Sequence, residues 1–173
     1  MVKIEVLSTL NAEDHAALAR LLGDAVERGA SVGYLLPFAK KEIEAYWQDV
    51  AIDVAKGNCK LLVARRVQEI IGTVQLALAS KPNGRHRAEV QKLLVHSNAQ
   101  RLGIGLQLMR AVEALAIAAK RTLLVLDTET DSGGCQLYKS IGYQVAGEIP
   151  CYAIGTSGGW TPSTFMYKLL GNT

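Results

Sequence analysis

The stretch that decides the fold is residues 89–116, which read EVQKLLVHSNAQRLGIGLQLMRAVEALA. It opens as a β-strand, passes through a polar turn, and continues with apolar residues at helical spacing. The turn carries Gln100 followed by Gly103 and Gly105. The stretch therefore predicts a strand, a glycine loop and a helix, with the loop at the helix N-terminus.

Gly103 and Gly105 have a physical use at this position. Backbone that lacks side chains can approach a ligand closely, and the first turn of a helix has amide groups without intrahelical partners. A phosphate or pyrophosphate accepts from such amides and is stabilised by the helix dipole. The alternative is that both glycines serve only helix entry or close packing. Leu108 stands where a dinucleotide fingerprint has Gly or Ala, and the Gly-Lys-Ser/Thr ending of a P-loop is absent, so neither nucleotide motif fits.

The composition favours one soluble domain covering residues 1–173. The chain is 49% hydrophobic and 20% charged, which is enough apolar content for a core. Its net charge is +3 and its Lys and Arg residues are scattered, so we expect no nucleic-acid surface. The three cysteines show no C-x-x-C spacing, which argues against disulfides or a zinc site and for a reducing cytoplasm. No apolar run approaches the roughly 18 residues of a membrane span.

The other elements are predicted from apolar periodicity, caps and turn residues. On the second helix this periodicity predicts an inward face made of Ile43, Tyr46, Trp47, Val50, Ile52 and Val54. Asn11, with Asp14 three residues later, predicts the N-cap of the first helix. The predicted order is strand (2–7), two helices (11–27, 40–56), three strands (60–66, 70–79, 88–95), the central helix, a strand (122–126), a helix (131–140) and two strands (143–146, 164–169).

The glycine loop has a counterpart in a known family. Its spacing Gln100-x-x-Gly103-x-Gly105, after a strand ending in Leu93-Leu94-Val95, resembles the acetyl-CoA signature of the GNAT superfamily of N-acetyltransferases. The resemblance implies the GNAT-type acyl-CoA N-acyltransferase fold, an α/β chain with a mixed, mostly antiparallel central sheet flanked by helices. It implies acetyl-CoA as cosubstrate, with no metal. The backbone groups that would bind it are those of Leu93, Leu94, Val95, Gln100, Arg101, Leu102, Gly103, Ile104, Gly105 and Leu106.

A second motif strengthens this resemblance. Residues 131–143, DSGGCQLYKSIGY, resemble the family's Asn-x-x-Ala-x-x-Leu-Tyr-x-x-x-Gly-Phe. Asp131 replaces the Asn and would be a cofactor contact, although a carboxylate donates no hydrogen bond and is unfavourable near phosphates. Tyr138 matches the residue that in the family commonly reaches the thioester sulphur as general acid. A phenol with a pKa of about 10 can donate to a developing thiolate, and the alternative is an aromatic ring that only packs on the cofactor.

Several blocks are similar to the tabtoxin resistance acetyltransferases of the same superfamily. These blocks are GASVG at 29–33, KPNG at 81–84, RAEVQKL at 87–93 and LDTE at 126–129. They lie mostly outside the cofactor motifs, so a shared fold does not require them. The resemblance implies a small-molecule amine, or an amino-acid-like molecule, as the acceptor.

Two carboxylates are candidates for handling that amine. Glu89 lies near the start of the strand that leads to the glycine loop, and Asp127 lies at the end of the adjacent strand. A protonated amine must lose a proton before it attacks a thioester, so either residue is a candidate base, directly or through water. Either could equally orient the substrate ammonium, and the alternatives are an exposed strand carboxylate and a turn residue.

Other side chains are less specific. Tyr34, Tyr46 and Trp47 either line a substrate cleft or belong to the core. Cys135 lies at a helix start, where thiol pKa values are lowered, but without a partner base we expect direct transfer rather than an acyl-cysteine.

The sequence thus predicts an acetyl-CoA-dependent acyltransferase acting on a primary amine of a small molecule, such as an amino-acid-like metabolite, an antibiotic or a toxin. Two alternatives stay open: a non-catalytic CoA-binding sensor, and a protein or peptide N-acetyltransferase. We expect neither a nucleic acid nor a membrane as partner. A homodimer and a monomer are both left open.

Overall fold

A computed structural model describes residues 1–156 and 158–171 of the chain. The elements are β1 (Val2–Leu7), α1 (Ala12–Glu27), α2 (Lys40–Lys56), β2 (Cys59–Arg66), β3 (Glu69–Leu78), β4 (Arg87–Val95), α3 (Ile104–Ala118), β5 (Leu123–Glu129), α4 (Gly133–Ser140), β6 (Gln144–Ile154) and β7 (Trp160–Leu169), with short 3₁₀ turns at Pro82–Gly84 and Ser97–Ala99. The predicted order of strands and helices is confirmed.

The strands form one seven-stranded sheet in the order β1-β2-β3-β4-β5-β7-β6. Only β4 and β5 pair in parallel; the other neighbours are antiparallel. This confirms the predicted α/β class with a mixed, mostly antiparallel sheet. The parallel pair lies at the centre, and the glycine loop follows the first of its two strands.

The sheet has an apolar layer on each face. Along β2, Leu61 and Val63 pack with α1 and α2, whereas Leu62 and Ala64 pack with α3. This alternation is expected for a strand covered on both faces, because successive side chains point to opposite sides. Both faces of the central strands are therefore buried by helices, and polar groups on these strands need a specific reason.

Helix α1 begins with the predicted N-cap. The Asp14 amide donates to Asn11 Oδ1 at 2.8 Å, and the Asn11 amide donates to Asp14 Oδ2 at 3.2 Å. Two of the amides that a helix start leaves unpaired are satisfied in this way. Asp14 also accepts from Arg65 on β2, with 2.9 Å between Arg65 Nη2 and Asp14 Oδ1, so the cap ties α1 to the sheet.

Three predicted boundaries or faces were wrong. Ile52 was expected to face inward but is 50% exposed, because the buried face of α2 follows Ile43, Trp47, Val50 and Val54 at spacings of four, three and four residues. Strand β5 does not stop before its polar residues, because β7 pairs with it as far as Glu129. Strand β6 is much longer than predicted. It is exposed at nearly every residue, so it lacks the alternation that reveals a half-buried strand.

No helix within residues 1–156 and 158–171 combines the length and apolar character needed to cross a membrane.

Replacement of Trp47 by Ala should strongly destabilise the protein. Trp47 is 0% exposed and lies in the layer beneath α1 and α2, so its removal leaves a large cavity. We expect Trp47→Ala to lower the free energy of unfolding by about 3–5 kcal/mol in urea denaturation. Ile52→Ala on the same helix is the matched control and should change it by less than about 0.5 kcal/mol. Equal effects of the two substitutions would contradict the packing of α2.

Candidate active site

The glycine loop presents unpaired backbone amides at the N-terminus of α3. Gly103 is the N-cap and has a left-handed backbone, with φ of 74°. Arg101 is also left-handed, with φ of 61°. No acceptor in the described ranges pairs with the amides of residues 101–106. Left-handed residues in a turn before a helix form a concavity of N–H groups that binds anions. The loop therefore has the geometry that the sequence predicted.

The two glycines have different structural reasons. Gly103 needs the conformational freedom of glycine, because a Cβ there would meet no atom within 4 Å but would sit on a left-handed backbone. Gly105 instead allows close packing, because a Cβ there would lie 3.3 Å from Leu137 Cδ2 on α4. The side chain of Ile104 is buried in the core, so this residue can offer a ligand only its backbone. Gly103 therefore serves the entry into α3 and Gly105 the close packing of α3 against α4, and the loop amides between and around them remain the predicted contacts of a phosphate.

Strands β4 and β5 separate beside the loop. They form three pairs, the last between Glu89 and Val125, although β4 continues to Val95 and β5 to Glu129. Over residues 90–95 the edge of β4 that faces β5 has no strand partner in the described chain. This stretch contains Leu93, Leu94 and Val95, which were predicted to pair with the cofactor. Gln100 Nε2 donates to the Val95 carbonyl at 3.1 Å and so folds the loop back on β4.

The turn between β4 and the glycine loop is fixed to α1. Asp24 accepts from the Ser97 amide at 2.8 Å and from Ser97 Oγ at 2.7 Å. Partial burial acts to raise the pKa of Asp24, but the hydrogen bonds from Ser97 and the nearby His96 and Arg28 outweigh it, so the pKa lies below its usual range. The carboxylate is thus held ionised. It keeps the start of the loop in place relative to α1.

Taken together, the free strand edge and the unpaired amides fit a cofactor with an amide-containing arm and a pyrophosphate. Residues 93–95 would pair with the arm, and residues 101–106 would bind the pyrophosphate.

Asp131 is exposed and has a left-handed backbone, with φ of 61°. The next residue, Ser132, is the N-cap of α4, because its Oγ accepts from the Cys135 amide at 3.1 Å. The structure therefore gives Ser132 the capping role, and Asp131 remains only a predicted cofactor contact.

The two candidate carboxylates lie on the face of the sheet that α1 and α2 cover. Leu124 and Leu126 of β5 pack with α3, so Asp127 points to the opposite face. Glu89 alternates in the same way with the buried Ala88 and Val90 on β4. Asp127 Oδ2 accepts from Ser163 Oγ at 3.1 Å, whereas Glu89 has no hydrogen bond or ion pair within the described residues. Asp127 is therefore oriented by a neighbour, and the Glu89 carboxylate has no partner among the described residues.

Tyr138 lies on α4, which packs against β5. It is 7% exposed, and its hydroxyl makes no hydrogen bond to any residue that the structure describes. Burial, with Asp127 and Cys135 nearby, raises the pKa of Tyr138, so its phenol stays protonated at neutral pH. Gly134 replaces the family's Ala at a tight point, because a Cβ there would lie 3.3 Å from Thr128 Oγ1 and 3.6 Å from Tyr138 Cε2.

A cleft of about 310 Å³ lies next to the carboxylate face. The loop between α1 and α2 forms one wall, including Gly33 and Tyr34, and the ends of β5, β6 and β7 form the other, including Glu129 and Thr161. Tyr34 therefore lines a cleft, as one prediction had it. Trp47 does not, because it is completely buried in the core. The volume suits a small molecule.

Sequence reasoning missed Lys92. Two residues of β4, Lys92 and Leu93, oppose one residue of β3 at a β-bulge, and Lys92 has a φ of 49°. The bulge moves Lys92 onto the same face as Glu89 and Asp127, beneath Tyr46. The sequence does show a lysine directly before the apolar end of a strand, and this signal could have been noticed. The β-bulge, which decides the face of the sheet that Lys92 lies on, has no such signal in the sequence.

Other candidates fall outside this arrangement. Cys135 is 1% exposed and packs in the core, so an acceptor cannot reach its thiol. Across residues 1–156 and 158–171, no group of three His, Cys, Asp or Glu side chains is arranged to hold a metal ion.

The match to a family agrees with this geometry. Residues 57–145, just over half of the chain, match the family described as acetyltransferase (GNAT) domain. The chain belongs to the GNAT acetyltransferase family. The matched segment contains β4, the glycine loop, α3 and Tyr138. Membership confirms the predicted acyltransferase class and acetyl-CoA as the cosubstrate, because GNAT acetyltransferases use acetyl-CoA.

Solved structures share the whole fold at low sequence identity. An N-acetyltransferase from Staphylococcus aureus Mu50 has a TM-score of 0.82 at 17% identity, with 99% of each chain covered. A GNAT superfamily phosphinothricin acetyltransferase from Sinorhizobium meliloti, in complex with AcCoA, has a TM-score of 0.79 at 16% identity over 98% of this chain and 89% of that one. A ribosomal-protein-alanine N-acetyltransferase from Brucella melitensis has a TM-score of 0.77 at 23% identity over 98% of this chain and 99% of that one. Such identities establish a common fold and leave the acceptor open.

Substitution of Gly103 should weaken acetyl-CoA binding. An alanine in the left-handed region costs about 1–2 kcal/mol, and relaxation of that backbone would turn the amides at the start of α3 away from the pyrophosphate. We expect Gly103→Ala to raise the Kd for acetyl-CoA about tenfold in calorimetry.

Gly57→Ala is the matched control for this substitution. Gly57 also has a left-handed backbone, with φ of 76°, and also has no atom within 4 Å of a built Cβ, but it ends α2 far along the chain from the loop. It should lose similar stability and keep the wild-type Kd. An unchanged Kd in Gly103→Ala would show that the loop does not contribute to acetyl-CoA binding.

Proposed function

We propose that this acetyltransferase moves the acetyl group of acetyl-CoA directly to a primary amine of a small molecule. One observation carries the proposal. Glu89 and Asp127 lie on one face of the two strands that separate beside the glycine loop, and Tyr138 of α4 lies near Asp127. A base, an orienting carboxylate and a neutral donor are the groups that direct transfer to an amine requires.

Each residue has a distinct task in this proposal. Bound acetyl-CoA would supply the acetyl thioester. Glu89, whose carboxylate no described residue engages, takes a proton from the acceptor ammonium directly or through water. Asp127, held by Ser163 Oγ, orients the amine. Tyr138 donates from its hydroxyl to the sulphur as negative charge develops there, and its raised pKa keeps that proton available.

The small acceptor is favoured by the cleft and by the sequence blocks. The cleft of about 310 Å³ is walled by the α1–α2 loop and by the ends of β6 and β7, which suits a metabolite better than an extended peptide. Three of the blocks that resemble tabtoxin resistance acetyltransferases contain Gly33, which lines the cleft, and the two carboxylates Glu89 and Asp127. They support an amino-acid-like or toxin-like acceptor. Protein N-acetylation is the alternative, and the Brucella neighbour bears that activity in its name.

We also infer that residues 1–173 act as one domain in a reducing compartment such as the cytoplasm. Cys59, Cys135 and Cys151 are all free thiols, and the first two are buried. This fits a chain that does not depend on disulfides.

A panel of acceptors tests the proposed function. Acetyl-CoA-dependent thiol release would be measured with amino acids, polyamines, aminoglycosides, β-lactam-type toxin analogues and N-terminal peptides. We expect turnover with at least one small amine. Turnover with peptides alone would favour protein acetylation, and acetyl-CoA binding without any thiol release would favour a non-catalytic sensor.

Loss of the Tyr138 hydroxyl should slow turnover without affecting cofactor binding. Tyr138→Phe should lower kcat about 100-fold while the Kd for acetyl-CoA stays within about twofold of wild type, because the phenol acts only on developing charge. Tyr143→Phe is the control: Tyr143 is a second buried phenol, 5.7 Å from Tyr138 between ring centroids, and its hydroxyl faces Glu113. Equal kcat values in the two variants would show that Tyr138 is not the general acid.

Substitution of the two carboxylates should change different steady-state constants. Glu89→Gln should lower kcat by about 100-fold or more, because a base acts in the transition state. Asp127→Asn should mainly raise KM for the amine, since an orienting group binds the ground state as well. Measurements with the best amine of the panel decide the roles, and a reversed pattern would assign the base to Asp127.

A further inference from the structure

The side chain of Lys92 is a half-buried cation without a partner. It makes no hydrogen bond and no ion pair with the residues that the structure describes. Its Nζ lies 5.4 Å from the centroid of the Tyr46 ring. An ammonium has three N–H donors, and a tyrosine ring satisfies none of them by hydrogen bonding. The group therefore lacks the acceptors that a partly dehydrated cation requires.

The backbone holds Lys92 in this position at a cost. Its φ of 49° is in the left-handed region, which is strained for a residue with a Cβ. The bulge in β4 is fixed on both sides, by the pair Gln75–Gln91 before it and by the pair Thr73–Leu94 after it. Strained backbone of this kind is found most often at functional sites. The register of the sheet directs Lys92 to the α1–α2 face.

Lys92 Nζ lies close to the loop between α1 and α2. A Cβ built at Gly33 would be 3.9 Å from Lys92 Nζ, which is ordinary van der Waals contact. Gly33 also lines the cleft of about 310 Å³. The Tyr46 ring, which covers the ammonium from α2, is held by Gln75, whose Nε2 donates to the Tyr46 hydroxyl at 2.9 Å. The ammonium thus lies between a fixed ring and the glycine wall of the cleft.

The charges near Lys92 are arranged for a molecule with two charges of opposite sign. Burial lowers the pKa of Lys92, and the carboxylates of Asp127 and Glu89 act in the opposite direction without being in ion-pair contact. The two carboxylates that act on Lys92 favour an ammonium, and Lys92, which has no ion-pair partner among the described residues, favours an anion beside it. An amine without an anionic group would leave the lysine unsatisfied.

We propose that Lys92 determines acceptor specificity by binding a carboxylate of the acceptor while Glu89 and Asp127 bind its amine. This inference rests on the proposed function and narrows it to amino-acid-like acceptors with a free carboxylate. A structural role limited to stacking on Tyr46 would predict no preference between an acid and its amide.

The test compares each amino acid with its carboxamide. For every acceptor that turns over, kcat/KM would be measured for the acid and for the matched amide with wild type, Lys92→Met and Lys92→Arg. We expect wild type to prefer the acid by about tenfold or more, because a charge-assisted hydrogen bond is lost with the amide. Lys92→Met should remove the preference mainly through KM, and Lys92→Arg should restore part of it. Lys56→Met, on the exposed end of α2, should behave as wild type.

A second measurement separates this inference from the proposed function. Binding of N-acetyl amino acids and of their amides, as product mimics, would be measured by calorimetry with CoA present, so no turnover is needed. Preferential binding of the acids, lost in Lys92→Met, supports the inference even if no acceptor in the panel is acetylated. Equal binding of acids and amides by wild type, or no binding of either, overturns it. The wild-type comparison decides the matter should Lys92→Met fail to fold.

Discussion

The separation of β4 from β5 after Glu89 is the constraint on which the site depends. Three parallel pairs hold the strands together at one end, and beyond them each strand has a different partner, β3 or β7. Backbone groups on the inner edge of β4 are left available for a ligand, because no neighbouring strand satisfies them. In the proposed function, this gap is where a cofactor bound at the glycine loop would meet an acceptor held on the α1–α2 side.

The bulge in β4 sets what the acceptor side contains. In a regular strand, successive side chains would have pointed to opposite faces along the whole of β4, and the residue after Gln91 would have faced the apolar layer under α3. The extra residue reverses that alternation, so that Lys92 lies on the polar face and Leu94 packs under α1 and α2. One irregularity of the backbone thus places a cation beside two carboxylates. The core loses no apolar packing as a result.

The fold and the specificity for the acceptor depend on different parts of the molecule. Proteins with the same fold include a phosphinothricin acetyltransferase and a ribosomal-protein-alanine N-acetyltransferase, so the fold permits acceptors of very different size. In our proposal, the glycine loop and the free edge of β4 serve the part of the reaction that such enzymes share. The α1–α2 loop, the bulge and the ends of β6 and β7 shape the remainder, and these are where the acceptor would be recognised.

The sequence by itself determined the glycine loop, the order of elements and the family, because these depend on local spacing: Gly103 and Gly105 before an apolar helix, and Tyr138 within its own motif. It also identified Glu89 and Asp127 as candidates. The tertiary structure decided the rest. The extent of β6, the exposure of Ile52 and the direction of Lys92 depend on which strand or helix lies opposite, and no local pattern carries that information. The partnerless ammonium appeared only when Tyr46, Gly33 and the bulge were brought together from separate parts of the chain.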